Sequence, residues 1–238
     1  MKKIGWSVLA LSIILGLAAF VAPSQKGDNQ LSAKEKKDGW QLLFDGSSTN
    51  GWRAYKNKPT DGWTVENGWL VCKMEGVKNR ADLITADQYE SFILELDWKI
   101  EKAHNSGIIY HSTEENGASY ESGPEYQLID DLGYPDKLSD KQLSGANYDM
   151  NAPSAKVAKP AGEVNHTKIV VNGAKVEHWL NGTKVVEYEF WTPEWEKNKS
   201  NSKWRDVKPY GMSKKGHIAF QDHGGGVAFK NIKIKVIK

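Results

Sequence analysis

From Gly39 onward, apolar and polar residues alternate with a two-residue period along much of the chain. The longest case is Ser91–Ile100, where Phe92, Leu94, Leu96, Trp98 and Ile100 fall on one side and Glu95, Asp97 and Lys99 on the other. That pattern predicts a strand with one face in a core and one in water. Shorter runs read the same way at Trp40–Phe44, Thr64–Glu66, Trp69–Val71, Gly107–His111, Glu125–Ile129, Ile169–Val171, Lys175–Leu180, Lys184–Tyr188, Ile218–Gln221 and Val227–Ile234. Asn67-Gly68, Asn172-Gly173 and Asn181-Gly182 separate pairs of these runs. Asn-Gly favours the tight hairpin turn, because both central residues need positive φ. No segment beyond the N-terminal apolar run shows a helical period. About a dozen short strands joined by such turns predict an all-β fold, an antiparallel sandwich. Residues 131–163 and 189–215 lack alternation and read as long loops, either functional or ordered by packing.

The same alternation selects candidate site residues. It places His111 on one face of its strand, Glu125 and Gln127 together on a face of theirs, and His217, Ala219, Gln221 and His223 opposite the core-facing Ile218 and Phe220. Lys230 points away from Phe229. If these outward faces belong to one curved sheet, His111, Glu125, Gln127, Gln221, His223 and Lys230 line a single polar surface, and one bulge would break that register. A solvated strand face accounts equally well for Glu125, Gln127 and Lys230. Among the remaining histidines, His178 reads as a hydrogen-bonded sheet residue, His166 and His217 as surface residues, and His104 as a turn or site residue. No histidine spacing resembles H-E-x-x-H, so a metal site would have to be assembled from distant residues. Asp130-Asp131 suits a Ca²⁺ site or a turn cap. Nucleophile-elbow, P-loop and dinucleotide fingerprints are all missing.

Composition narrows the picture in three places. Ten Trp and nine Tyr suit packed sheets and sugar-stacking surfaces alike. Lys2-Lys3, the apolar run Ile4–Ala22 and Ala22-Pro23-Ser24 read as a secretory signal over residues 1–24, followed by a solvated polar linker with a short helical turn over 25–38. The run is also long enough to span a bilayer, so membrane contact is expected only through this segment where it stays uncleaved. The formal charge of +2 falls to zero without the two leader lysines, and no nucleic-acid partner is implied. Cys72 is the only cysteine, which excludes an internal disulfide and a cysteine metal cage; within Trp69–Lys73 it reads as a small core hydrophobe.

Taken together, GWQLLFDG (39–46), GWTVENGWL (62–70), LITADQYESFILELDWKI (83–100), NSGIIYH (105–111), GPEYQLIDD (123–131), the run 159–189 and GHIAFQDHGGGVAFKNIKIK (216–235) resemble the 3-keto-disaccharide hydrolases, the domain family long called DUF1080. The resemblance covers residues 39–238. It implies a concanavalin-like jelly-roll sandwich, export to the periplasm or cell surface of a bacterium, and a carbohydrate substrate, a glycoside whose C3 hydroxyl has been oxidised to a ketone. Such a ketone acidifies the C2 proton, so a base can remove it, the C1 aglycone leaves by β-elimination, and water adds back. On that comparison Glu125, His223 and His111 are expected as acid/base residues or ligands of a divalent metal ion, which would act as a Lewis acid. Gln127, Gln221, Lys230 and Asn105 are expected to contact sugar or oxyanion, and Trp191 to stack on a ring. The last block departs from the family's usual Phe-Arg-Asn: Phe229-Lys230-Asn231 stands here, and lysine lacks arginine's bidentate fork. Two other functions fit the same fold. One is a non-catalytic, lectin-like carbohydrate-binding module. The other is a two-carboxylate glycosidase, which needs a second acid near Glu125 drawn from Glu121, Asp130, Asp131 or Asp222.

Overall fold

A computed structural model describes Met1 and residues 27–238. The expected signal lies outside the described residues. Thirteen strands are seen among them: β1 (Trp40–Leu42), β2 (Trp52–Ala54), β3 (Trp63–Glu66), β4 (Trp69–Cys72), β5 (Leu83–Thr85), β6 (Phe92–Ile100), β7 (Asn105–Ser112), β8 (Glu125–Ile129), β9 (Asn165–Asn172), β10 (Lys175–Leu180), β11 (Thr183–Glu189), β12 (His217–Phe220) and β13 (Val227–Val236). Every pairing is antiparallel. One sheet runs β11-β10-β9-β6-β13-β4-β3 with β1 also on β13, and the other runs β2-β5-β12-β7-β8. The jelly-roll sandwich expected from the sequence is therefore the fold.

The alternating side chains of β6 make the large sheet's half of the core, with Phe92, Leu94, Leu96 and Trp98 all at zero exposure. Across from them sit Ile108, Tyr110, Tyr126, Leu128, Ile218 and Phe220 of the small sheet. Phe220 stacks on Phe229 at 4.1 Å and on Trp52 at 4.7 Å, joining the layers. A buried polar chain also crosses them: Trp98 Nε1 donates to Thr167 Oγ1 (2.9 Å), which donates to the Tyr126 hydroxyl (3.0 Å), which donates to the Trp179 carbonyl (3.1 Å). His178 is fully buried beside it, with Nδ1 against the Gly145 carbonyl and Nε2 against the Tyr110 hydroxyl, and desolvation lowers its pKa to about 4. It is the sheet histidine expected. His217, expected at the surface, is instead buried with Nδ1 donating to the Thr85 carbonyl at 2.7 Å.

Two sequence expectations fail outside the strands. Residues 28–38 are docked on the fold rather than forming a solvated tether. Asn29 donates its N–H to the Asn231 side-chain oxygen (2.6 Å), accepts from the Asn231 N–H (2.8 Å) and donates from Nδ2 to the Gly68 carbonyl (2.9 Å). The short helix α1 (Ala33–Lys37), closed by a Ser32/Glu35 capping box, presents Glu35 to Lys233 at 2.6 Å. The second failure is in the 189–215 loop, which holds a helix, α2 (Pro193–Ser200), started by the Thr192 cap and Pro193. Only Trp195 of that helix is buried, so no apolar period marks it.

Candidate functional site

Because sheet side chains alternate, the face of the small sheet turned away from the core carries Asn105, Gly107 and Ile109 of β7, Glu125 and Gln127 of β8, and Gln221 just past β12. Register confirms the grouping: Gly107 faces Gln127 and Ile109 faces Glu125. This face is not wet. The segments 113–122, 143–150 and 202–204 cover it, leaving a recess of about 170 Å³ lined by Asn105, Tyr120, Glu125, Tyr148, Lys203, Gln221 and His223.

Glu125 lies at the floor, 3% exposed, its side chain draped over Gly107. A Cβ at residue 107 would sit 2.4 Å from Glu125 Oε1, so glycine is the residue that leaves room for the carboxylate. The Gln127 amide nitrogen, oriented by its hydrogen bonds, donates to Glu125 Oε1 at 2.9 Å and to the Ser106 carbonyl at 3.2 Å. Burial pushes the Glu125 pKa up to about 8; the Asp82 charge adds to the rise and Lys203 opposes it. Gln221 is tied to β7 by its N–H on the Gly107 carbonyl (3.0 Å) and by Ser106 Oγ donating to the Gln221 carbonyl (2.9 Å). His223 stands exposed on the following glycine-rich turn.

Lys203 reaches the recess from the 189–215 loop. Its backbone N–H donates to Asp149 Oδ2 (2.6 Å), and its ammonium rests over the rings of Tyr148 (4.0 Å) and Trp204 (4.3 Å). Desolvation lowers the Lys203 pKa, against the pull of Glu125 and Asp149. Trp204 anchors the loop by stacking on Tyr210 at 4.4 Å and donating Nε1 to the Tyr148 carbonyl at 3.0 Å.

Five of the expected residues thus meet: Asn105, Glu125, Gln127, Gln221 and His223. Three do not. The pairing of β7 with β12 slips between His217 and Ala219, and His111 has a φ of 55°; this bulge turns its ring inward against Phe92, Tyr110 and Phe190. There Nε2 donates to the Glu90 carbonyl at 2.7 Å, and desolvation lowers the His111 pKa. Lys230 lies on the outer face of the other sheet, paired with Asp28 (2.7 Å) over the Trp69 ring. Trp191 packs on Phe190 and donates to the Gly211 carbonyl at 2.9 Å, so it orders its loop instead of facing the recess. Without His111 the expected three-residue metal set is not assembled, and among the described residues no other group of three or more His, Cys, Asp or Glu is placed to hold a metal ion. Asp130 and Asp131 are turn caps, accepting from backbone N–H groups of Ala103, Gly133 and Ser144. Tyr120, Tyr148 and Lys203 escaped sequence reasoning, since they come from non-alternating loops; the aromatic Trp204 beside Lys203 was the available signal.

Among known proteins, a 3-keto-disaccharide hydrolase of Bacteroides thetaiotaomicron is 35% identical over 229 residues, covering 84% of this chain and 79% of that protein. A Parabacteroides distasonis structure assigned as a glycosyl hydrolase is 38% identical with a TM-score of 0.84, covering 89% of this chain and all (100%) of the other. A second from the same organism, assigned likewise, is 27% identical with a TM-score of 0.60 over 79% of this chain and 100% of its own. Since residues 39–235, nearly the whole sandwich and every wall of the recess, match the 3-keto-alpha-glucoside-1,2-lyase-like domain, the chain belongs to that family.

Proposed function

We propose that this protein is an exported enzyme that cleaves 3-keto-glucosides in the Glu125 recess by elimination and rehydration. The observation that carries the reading is the Glu125 carboxyl, buried, raised to about 8 and opposite a cation in a polar recess. A carboxylate of that basicity suits removal of a carbon-bound proton that a neighbouring ketone has acidified. Glu125 takes the C2 proton, and the electron pair moves into the C3 oxygen. The Lys203 ammonium and the Asn105 and Gln221 amides are the groups available to stabilise that oxyanion. The pair then returns to expel the C1 substituent, whose oxygen takes a proton from His223 at the rim. Water adds at C1 and a proton returns to C2, so the net reaction is hydrolysis. Membership in the family and the named activity of the Bacteroides relative support the keto-sugar substrate. The leader-like residues 1–24 support export to the periplasm or cell surface.

A two-carboxylate glycosidase fits less well, because among the described residues Glu125 is the one carboxylate lining this recess. The test is to offer purified protein a 3-keto-glucoside and its unoxidised parent. Release of aglycone from the oxidised substrate alone is expected. Equal cleavage of both contradicts the keto-dependent step, and binding without cleavage of either points to a lectin-like module.

A further inference from the structure

We propose that Asp82 is a positioning residue that holds His223, the donor to the leaving group, in place at the rim of the Glu125 recess. The inference rests on the reading of that recess given above. His223 follows Asp222 on the turn between β12 and β13, and Gly224, Gly225 and Gly226 behind it all have positive φ, at 96°, 91° and 79°. Glycines have the most freedom to lose, so this turn needs bonds from outside to fix its path. Two bonds to Asp222 supply them. The Asp222 N–H donates to Asp82 Oδ1 at 2.9 Å, and Arg80 Nη1 donates to Asp222 Oδ1 at 2.7 Å. Arg80 in turn donates to the Lys73 and Met74 carbonyls at 3.1 and 2.9 Å.

Asp82 is suited to this role by its place in the sheet. It directly precedes β5, an inner strand of the small sheet, and its carbonyl accepts the Tyr55 N–H at 2.8 Å, so its backbone is fixed. Its second carboxylate oxygen, Oδ2, accepts from Ser119 Oγ, next to Tyr120 of the recess wall. One carboxylate therefore ties two separate walls of the recess to the sheet that carries Glu125. Desolvation raises the Asp82 pKa, and the bonds from Ser119 and the Asp222 N–H oppose the rise. An apolar residue would spare the cost of burying that charge but would leave the Asp222 N–H without its acceptor. Asp82 does not itself line the Glu125 recess, so it acts through His223 and not on the sugar.

Leaving-group chemistry separates this role from a merely structural one. A methyl 3-keto-glucoside expels an alkoxide, which needs the His223 proton, whereas a para-nitrophenyl 3-keto-glucoside expels a stable anion, which does not. Asp82→Ala should lower kcat on the methyl glycoside about 10²-fold, the loss expected from a misplaced acid, and on the nitrophenyl glycoside by much less. His223→Ala should show the same selectivity, and the double variant should lose little more than either alone. Asp82→Asn keeps an acceptor for the Asp222 N–H and a donor for Ser119 Oγ, so it should restore most of the methyl glycoside rate. Asp82→Ser, polar but too short to reach both partners, replaces Asp82→Ala if that variant fails to fold. Hydrogen exchange, which needs no turnover, should be faster at the Asp222 amide in the variant than in wild type. Equal losses on the two substrates, additive losses in the double variant, or unchanged exchange at Asp222 overturn the role of Asp82 and leave the elimination reading standing. No cleavage of either keto-glucoside by wild type overturns the elimination reading, and the role of Asp82 with it.

Discussion

Glu125 is costly to the fold and useful to the chemistry for one physical reason, its burial. Replacing it with glutamine should lower kcat/KM by about 10²–10⁴-fold, the range for loss of a positioned general base. In the wild type, the acidic limb of kcat/KM should rise with pH toward about 8, as the Glu125 carboxyl ionises. Lys203→Met keeps the stem on Tyr148 and Trp204 but removes the charge, and should lower kcat by about 10²–10³-fold while KM changes less, as steady-state kinetics would show. These two residues also mark how differently the site could be read from sequence. Glu125 was legible because strand parity groups it with Gln127 and, on one curved sheet, with Gln221. Lys203 was not, because only the folding of a long loop brings it within reach of β8.

At the scale of elements, one bulge and one strand's place in the other sheet decide which expectations survive. Strict alternation, with all outward faces on one curved sheet, put His111, Glu125 and Lys230 on a single polar surface. His111, with a φ of 55°, interrupts the β7–β12 ladder and re-aims its side chain, whereas the bulge at Asn231 (φ 56°) follows Lys230, which keeps its parity and misses the recess because β13 belongs to the other sheet. Asn231 at least is a type that tolerates the left-handed region; histidine gives little warning. His111→Phe should therefore leave kcat and its pH profile unchanged, and any loss of activity beyond that explained by unfolding would return His111 to the site. Asn231→Ala removes the side-chain bonds to the Asn29 N–H, Asp28 and Asp97 and places alanine at positive φ, so it should cost about 1–3 kcal/mol in urea unfolding with full activity in the folded fraction. In this chain Phe229-Lys230-Asn231 thus fastens residues 28–29 to the sandwich, and the missing arginine has no bearing on the recess.

For the whole molecule, buried titrating groups set the pH range of stability. Glu125 is raised from 4.5 to about 8, so between those values the unfolded chain has released a proton that the folded one keeps, and stability falls as pH rises. His178 is lowered from 6.5 to about 4, so over that range the unfolded chain binds the extra proton, and stability falls as pH drops. Thermal unfolding should accordingly be most resistant near mildly acidic pH, and Glu125→Gln should flatten the alkaline side alone. The two-sheet architecture was legible because its period is regular. The covered outer face of the small sheet was not, because loops 131–163 and 189–215 carry no period and are held by buried aromatics such as Trp204 and Tyr210. That covering turns a solvated strand face into a recess where a carboxylate becomes a base. Its most direct test is turnover of a 3-keto-glucoside in D₂O, with the C2 position of the released 3-keto-sugar read by NMR at early conversion. Deuterium at C2, formed by wild type and suppressed along with turnover in Glu125→Gln, is the expected result. A product that keeps its original C2 hydrogen would contradict proton abstraction by Glu125.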